Sequence, residues 1–529
     1  MNQAADRSLA RSAGAVSGAT MISRVLGLAR ESVVAGFFGA GTETDAFNIA
    51  FRIPNLLRDL FAEGALSAAF VPTFTGTLVR EGRQSAWRFA NAVLGTLLLI
   101  LGAATLLIVA GAKLVVIILA SGFSSSPGKV ELAAALARVM SPVLLFVALA
   151  AVMMGALNVF GRFFLPAFAP AVFNAVNIAV TLTLYPVARW MGVTPIYALA
   201  MGVLAGVIGQ FVVQLPPAMR LGYRFRPRLA LRDPGVRRMA ALMLPAVIGL
   251  AATQINIVVD GQFASRWEGA VSWLQYAFRL MYLPIGLIGV AIGTVSLTGV
   301  SRDAAAGDID ALRRRLAGAV RLIVVLALPA TAGLIALREP IIRVLFQRGL
   351  FEARDTKATA AVLMAYAVGL AAYSCLKVVV PTFYALGDTA TPVRVSFASV
   401  AIKIAASFAL IPWLRYQGLA LSTSLVAVFN VLVLWGILSK RVGGFRGQGV
   451  GSCVLRSACC ALFMGVCCGL LWRVGPHDSA SQVIAAAWLG VVVISGIALT
   501  IVGAWALRIE EVGPLMRVVA RRLGLQRER

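Results

Sequence analysis

RVLGLARESVV, residues 24–34, and RIPNLLRDLFAE, residues 52–63, share one spacing, Arg-x5-Arg-acid, inside long apolar runs. The first sets Arg24, Arg30 and Glu31; the second sets Arg52, Arg58 and Asp59, with Glu63 one turn further on. Each charge at the centre of a membrane-spanning helix costs about 2.5–3.5 kcal/mol, so three cost roughly 9, while some ten Leu, Ile, Val, Phe and Met side chains return about 3–6. Such a helix does not face lipid on all sides. Arg24 and Glu31, seven apart, share a helix face and Arg30 points elsewhere, which places the charged side on a water-filled cavity.

The rest of the chain supplies the membrane setting. Of 529 residues, 60% are hydrophobic and 13% charged, far from the balance of a soluble protein. A span takes about 20 apolar residues. Breaks at Gly, Pro and charge clusters give fourteen helices: 14–38, 45–75, 88–121, 132–159, 166–189, 194–219, 237–262, 270–299, 316–337, 357–385, 392–413, 417–439, 453–474 and 481–507. Lys and Arg crowd the alternate breaks, as in 220–236 with Arg220, Arg224, Arg226, Arg228 and Arg232. The positive-inside rule then puts both termini in the cytoplasm. One outer segment, REPIIRVLFQRGLFEARDTK (338–357), breaks the pattern with five basic residues and reads as an amphipathic piece at the interface. The N-terminus lacks a compact apolar core with a small-residue cleavage site and reads as a retained first helix.

The formal charge of +26 does not argue for nucleic acid, because the arginines fall in the breaks and no nucleic-acid module accompanies them. Of the six cysteines, five share one apolar segment and read as small buried hydrophobes. The lone His477 lies beside Asp478 in a polar break, so a metal centre or a His-based triad has little to work with. No G-x-x-x-x-G-K-[ST] loop is present, and GGFRGQGVG (443–451) lacks the lysine that ATP hydrolysis needs.

The chain also repeats. Ala50-Phe51-Arg52 recurs as Ala277-Phe278-Arg279, 227 residues on; Gly161 with Pro166 recurs as Gly387 with Pro392, 226 on; SGF at 121–123 answers RGL at 348–350. An even number of spans separates equivalent points, which makes a parallel pseudo-two-fold repeat about the membrane normal. The expected architecture is an all-α polytopic membrane protein: a first lobe over 1–225, a second over 226–440, and a helix pair with a basic cytoplasmic tail over 441–529. Arg24, Arg30, Arg52, Arg58 and Arg279 outnumber Glu31, Asp59 and Glu63, so the cavity is cationic. Guanidinium offers a planar fork for phosphate oxygens and keeps its proton, which suits a diphosphate and repels a cationic drug. Asp260, Lys377 and Lys403 are further isolated charges; Lys377 and Lys403 read as residues near misplaced helix ends.

At these residues the chain resembles a known family. SRVLGLARESVVAGFFGAGTETDAFNIAFRIPNLLRDLFAEGALSAAFVPTF (23–74), supported by QYAFRLMYLPIGLIGVAIGT and FYALGDTATPVR, is similar to the MurJ (MviN) lipid II flippases of the multidrug/oligosaccharidyl-lipid/polysaccharide exporter superfamily. The resemblance runs along nearly the whole chain. It implies a bacterial inner-membrane transporter, not an enzyme, that moves the lipid-linked peptidoglycan precursor to the outer leaflet by alternating access. Arg24, Arg30, Arg58 and Arg279 match the family's basic cavity positions, Glu31 and Glu63 its acids, and Asp45 and Asn55 its polar positions around the second helix. Where some members carry acids near the arginine of the eighth helix, this chain has Phe278 and Tyr282. A family cation site corresponds to Asp260 and Asp388, although Tyr384 and Ile404 match its other ligands poorly. The implied partners are lipid II, membrane lipids and the cell-wall synthesis machinery. No cofactor is expected, and a coupled cation (Na+ or H+) or the membrane potential supplies the energy. The rival readings are an exporter of another polyprenyl-linked saccharide or of drugs, a membrane enzyme on a lipid diphosphate, and a scaffold without transport.

Overall fold

A computed structural model describes residues 2–58, 66–476, 481–509, 511 and 513, and every regular element among them is helical. In chain order they are α1 (Asn2–Phe38), α2 (Thr42–Arg58), α3 (Leu66–Glu81), α4 (Arg83–Leu119), α5 (Lys129–Met140), α6 (Val143–Val159), α7 (Phe164–Trp190), α8 (Ile196–Val212), α9 (Leu215–Arg220) and α10 (Pro234–Ala264). There follow α11 (Ala270–Pro284), α12 (Ala291–Ala305), α13 (Ile309–Ala336), α14 (Arg338–Phe346), α15 (Ala353–Ala367), α16 (Leu370–Ala385), α17 (Ala390–Leu414), α18 (Tyr416–Arg441), α19 (Val450–Val474) and α20 (Gln482–Ala506). Among the described residues helix falls within each of the ranges expected from sequence, while 59–65 of the second range lies outside the described residues. Ten spans among the described residues are long and apolar enough to cross a membrane on their own, and α15 with α16, bent by 43° at their junction, make an eleventh. Between α11 and α12, Ile285–Val290 winds as a π-helical turn just after Pro284, where the missing N–H loosens the ladder.

The chain groups into two compact units. The first holds Met1–Ser272 with Arg348–Phe351, and the second Trp273–Gln347 with Glu352–Arg529. In the first unit α7 and α8 pack closely because glycines line the contact. A Cβ on Gly202 would come within 2.4 Å of Thr181 Oγ1, and one on Gly206 within 2.8 Å of Phe173. Without a hydrophobic drive between helices in lipid, such small-residue stripes let backbones approach and gain dispersion contacts. The basic connection after α9 is strapped along α4. Trp87 Nε1 donates to Leu221 O (2.9 Å), Asn91 Nδ2 donates to Arg224 O (2.9 Å), and Arg226 N donates to Asn91 Oδ1 (3.1 Å). The arginines of this break therefore extend from an anchored backbone.

In the second unit α13 packs on α19, and Met464, Cys468 and Val492 form a small buried cluster between α19 and α20 with Leu337. The opposite side of α19 exposes Leu455, Leu462, Phe463, Val466 and Leu470, an apolar face for lipid. All six cysteines are free thiols; Cys375 is buried, and of the five in the apolar segment Cys453, Cys460 and Cys468 are buried while Cys459 is exposed and Cys467 half-buried, so the expected burial holds for three of those five.

Two sequence expectations need correction here. The segment 338–357 is not simply a surface amphipathic piece. Its apolar side chains Ile342, Phe346 and Phe351 are buried, Leu350 N donates to Gly36 O at the end of α1 (3.0 Å), and Glu352 with Asp355 caps α15. Its charges are spent on caps and contacts that a one-dimensional count cannot anticipate. Lys403 is not near a helix end either. It stands in the interior of α17, 1% exposed, and its ammonium donates to Leu419 O (3.1 Å) and to Thr423 Oγ1. Lys377 likewise lies inside α16, half-buried.

Candidate functional site

On α1, Arg30 and Glu31 are side by side in sequence and about 100° apart around the helix, so their side chains start on different faces. The arginine is long enough to return. Arg30 Nη2 and Nε donate to Glu31 Oε1 at 2.7 and 3.2 Å. This corrects the expectation that Arg30 points away from Glu31. The guanidinium also lies over the Phe173 ring of α7, 5.2 Å from its centroid, an attraction between cation and ring face. The two side chains remain 13% and 10% exposed, buried enough to fix their geometry and open enough to meet a ligand. Asn174, next to Phe173, ties α7 to α1 by donating from Nδ2 to Ser23 O (3.1 Å). Arg24, one residue further on, is half-buried.

At the start of α2 the chemistry is closed. Asp45 is fully buried and pairs with Lys129 Nζ at 3.0 Å, where α5 begins. Its other contacts come from Gly269 N (2.8 Å), Ser272 N (3.0 Å) and Ser272 Oγ (2.7 Å), all donating to the carboxylate. Lys129, 2% exposed, also sits 4.4 Å from the Phe123 ring centroid. Further along α2, Arg52 Nη1 donates to Ile257 O (3.2 Å), with Gly261 of α10 giving room for the guanidinium. Asn55 lines a cavity inside the first unit. Arg58 is the last residue of α2, and its side chain, with Asp59 and Glu63, lies outside the described residues.

In the second unit Arg279 stands on α11 one turn from Gln275; with the Gln275 amide flipped so that its oxygen faces the guanidinium, that oxygen accepts from Nη2 (3.1 Å) and Nε (3.2 Å). Phe278 stacks on Tyr282 (centroids 5.8 Å apart) and meets Tyr366 edge-on (5.6 Å). Those two positions thus form an aromatic wall beside the arginine. Asp388, between α16 and α17, receives Thr391 N on Oδ1 (2.9 Å), and its Oδ2 makes an ion pair with Arg441 Nη2 (2.6 Å). Hydrogen bonds from Thr391, followed by the Arg441 guanidinium, hold its carboxyl below the usual carboxylate range. Its oxygens are thereby committed within the second unit, while Asp260 belongs to α10 of the first. Among the described residues no group of three His, Cys, Asp or Glu side chains is placed to hold a metal ion.

Sequence reasoning missed Lys129 and Phe173. Lys129 could have drawn notice as a lone cation at the head of the apolar run 130–159, but no spacing links it to Asp45, 84 positions earlier.

A multi-span all-helical chain of two units, with arginines set inside its spans, defines a membrane transporter of the type that carries substrates between leaflets or across the bilayer. An inward-facing multidrug transporter of the MATE family shares the fold, with a TM-score of 0.64 at 16% identity over 81% of this chain and 98% of that one. The narrower assignment rests on sequence. Residues 34–481 match the family model described as lipid II flippase MurJ, and the chain belongs to that family. It is 35% identical over 500 residues to the lipid II flippase MurJ of Burkholderia cenocepacia, covering 87% of this chain and 96% of the relative. It is 37% identical to the probable lipid II flippase MurJ of Rhizobium meliloti over 82% of this chain and 81% of that one. A solved lipid II flippase MurJ in an inward closed conformation superposes with a TM-score of 0.78 at 27% identity, over 94% of this chain and 99% of that one.

Proposed function

We propose that this chain flips lipid II from the cytoplasmic to the periplasmic leaflet of the bacterial inner membrane by alternating access of lobes 1–225 and 226–440, with both termini in the cytoplasm. The observation that carries the site is the Arg30–Glu31–Phe173 arrangement. Glu31 takes the Nε–Nη2 edge of Arg30 and the ring holds its flat face, so the guanidinium is oriented before any substrate arrives and its Nη1 edge is left to a phosphate oxygen. Arg24, Arg52, Arg58 and Arg279 supply further positive charge toward a diphosphate. The substrate's negative charge offsets repulsion among the arginines and lets the lobes close, while the polyprenyl tail stays in lipid. A coupled cation, Na+ or H+, or the membrane potential drives the cycle; one charge crossing the membrane is worth about 2.3 kcal/mol per 100 mV. The cell-wall synthesis machinery is the protein partner on this reading.

The test follows leaflet exchange of labelled lipid II in proteoliposomes beside a polyprenyl-linked O-antigen unit. Selective movement of lipid II, abolished by Arg30→Ala and Arg279→Ala, is the expected result. Equal movement of both lipids points to a saccharide-lipid exporter of broader range, and movement indifferent to both substitutions removes the diphosphate clamp.

A further inference from the structure

The cavity beside Asn55 lies wholly within the first unit and shares only Phe173 with the charge arrangement just described. It measures about 210 Å³, room for a molecule on the order of ten heavy atoms at protein packing density. Val143, Val147, Ala151 and Met154 of α6, with Pro170 and Phe173 of α7, make most of its wall. Among the described residues the polar lining is three neutral amides, Asn55, Gln210 and Gln214. Gln214 is 1% exposed; its Nε2 donates to Gln210 O (2.9 Å), and its Oε1 finds no donor among the described residues. A buried acceptor without a donor has lost its water and gained nothing in return, so a ligand that brings one O–H or N–H there offsets that loss. Water alone fits poorly, because it needs 2–4 polar partners where most of this wall is apolar.

We propose that this cavity is a binding site for a small uncharged amphiphile, a short aliphatic chain ending in a hydroxyl or amide. The chain lies against Val147, Ala151 and Met154, and the terminal donor meets Gln214 Oε1. Such a site matches the general form of ligand pockets, apolar walls with a few placed polar groups, though it is smaller than their usual range of about 300–1,000 Å³ and so takes only a short ligand. The described lining is neutral, which favours an uncharged occupant over a phosphate or a free carboxylate. Phe173 gives the site a link to transport. One face of its environment is the cavity and the other is the Arg30 guanidinium, so an occupant that shifts the ring also shifts the arginine.

The experiment uses purified full-length protein in nanodiscs and a photoreactive eight-carbon alcohol carrying a diazirine, with adducts mapped by peptide mass spectrometry. We expect saturable labelling of 143–154 and 166–173 that excess unlabelled octanol displaces. Ala151→Phe, which fills the cavity, is expected to remove this labelling, and Gln214→Leu to raise the half-saturating concentration about five- to tenfold. Size-exclusion profile and melting temperature are measured for both variants to separate lost binding from lost folding. Labelling confined to lipid-facing helices, or labelling of α6 and α7 that neither competes with octanol nor responds to Ala151→Phe, overturns the site. Unchanged saturation in Gln214→Leu overturns the assigned acceptor. None of these readouts depends on which lipid the protein flips, so the site stands or falls apart from the lipid II assignment.

Discussion

Asp45 and Glu31 are both acids of the first unit, both buried, and both paired with a basic side chain, yet they are built to different ends. Asp45 and Lys129 are 0% and 2% exposed at the side chain, and three further donors complete the carboxylate. Glu31 and Arg30 keep 10% and 13%, and both cations lie over an aromatic ring, Arg30 over Phe173 (5.2 Å) and Lys129 over Phe123 (4.4 Å), so access and not the ring separates the two pairs. A sealed pair of charges holds helices in one register and has nothing left for a ligand. A half-open pair gives up some of that rigidity and keeps a hydrogen-bonding edge. Similar residue types thus divide into scaffold and receptor by access alone.

The comparison breaks most visibly if one partner of the sealed pair is removed. Lys129→Met leaves a buried carboxylate uncompensated, which costs about 3–5 kcal/mol. The expected outcome is a large fall in melting temperature and in the folded fraction on size exclusion, with much of it recovered in the Asp45→Asn/Lys129→Met double variant. Parental melting of Lys129→Met alone would sink the scaffold role. Arg30→Ala, by contrast, is expected to melt close to the parent while lipid II flipping falls at least about tenfold, the scale of one lost charge-assisted contact of about 1.5 kcal/mol or more. Arg30→Lys should not restore it, since an ammonium lacks the planar fork that Glu31 and Phe173 hold in place. Restoration by lysine would reduce the site to point charge.

A smaller effect sharpens the scaffold side. Gly39 ends α1 at φ +63°, and a Cβ there would come within 2.5 Å of Leu350 O. Gly39→Ala is expected to cost about 1–2 kcal/mol for the left-handed backbone alone, plus whatever the 348–351 segment loses by moving away. Proteolysis at that segment, faster in the variant than in the parent, is the check. An unaltered cleavage rate would mean that the segment does not depend on its seat at α1.

How much of this was legible in sequence follows from what sequence encodes. The fourteen helical ranges were readable because lipid imposes length and apolarity on each span locally. The Arg-x5-Arg-acid repeats marked α1 and α2 as unusual because charges in such runs are costly wherever they fold. The partners were not readable. Asp45 resembled a family polar position, but Lys129, Gly269 and Ser272 reach it only through packing. Arg30 was assigned to another face because helical phase fixes where a Cβ points and not where a long side chain ends. Lys403 was discounted as a boundary error, since nothing in 392–413 announces the Leu419 carbonyl and Thr423 hydroxyl that receive it.

The gentlest test of the comparison lies outside the spans, at Asp388 and Arg441, a pair of intermediate access. Asp388 is 14% and Arg441 44% exposed at the side chain, so water and salt screen the attraction far more than at Asp45. Thr391 and Arg441 hold the folded-state pKa of Asp388 below its unfolded value, which for Asp is about 3.9. The ionised form is therefore favoured by folding. Its contribution is fully present above about pH 5, and is lost as the pH falls through the unfolded value toward the lower folded one. Asp388→Asn keeps a side chain able to accept from Thr391 N but has no charge for Arg441. The parent should melt slightly higher than this variant at neutral pH, and the gap should close below about pH 4 and narrow in roughly 1 M salt. A gap that does not narrow at all between about pH 5 and pH 3 would assign the effect to the shape of the cap and not to charge. A gap as large as that of Lys129→Met would erase the ranking by access on which the division into scaffold and receptor rests.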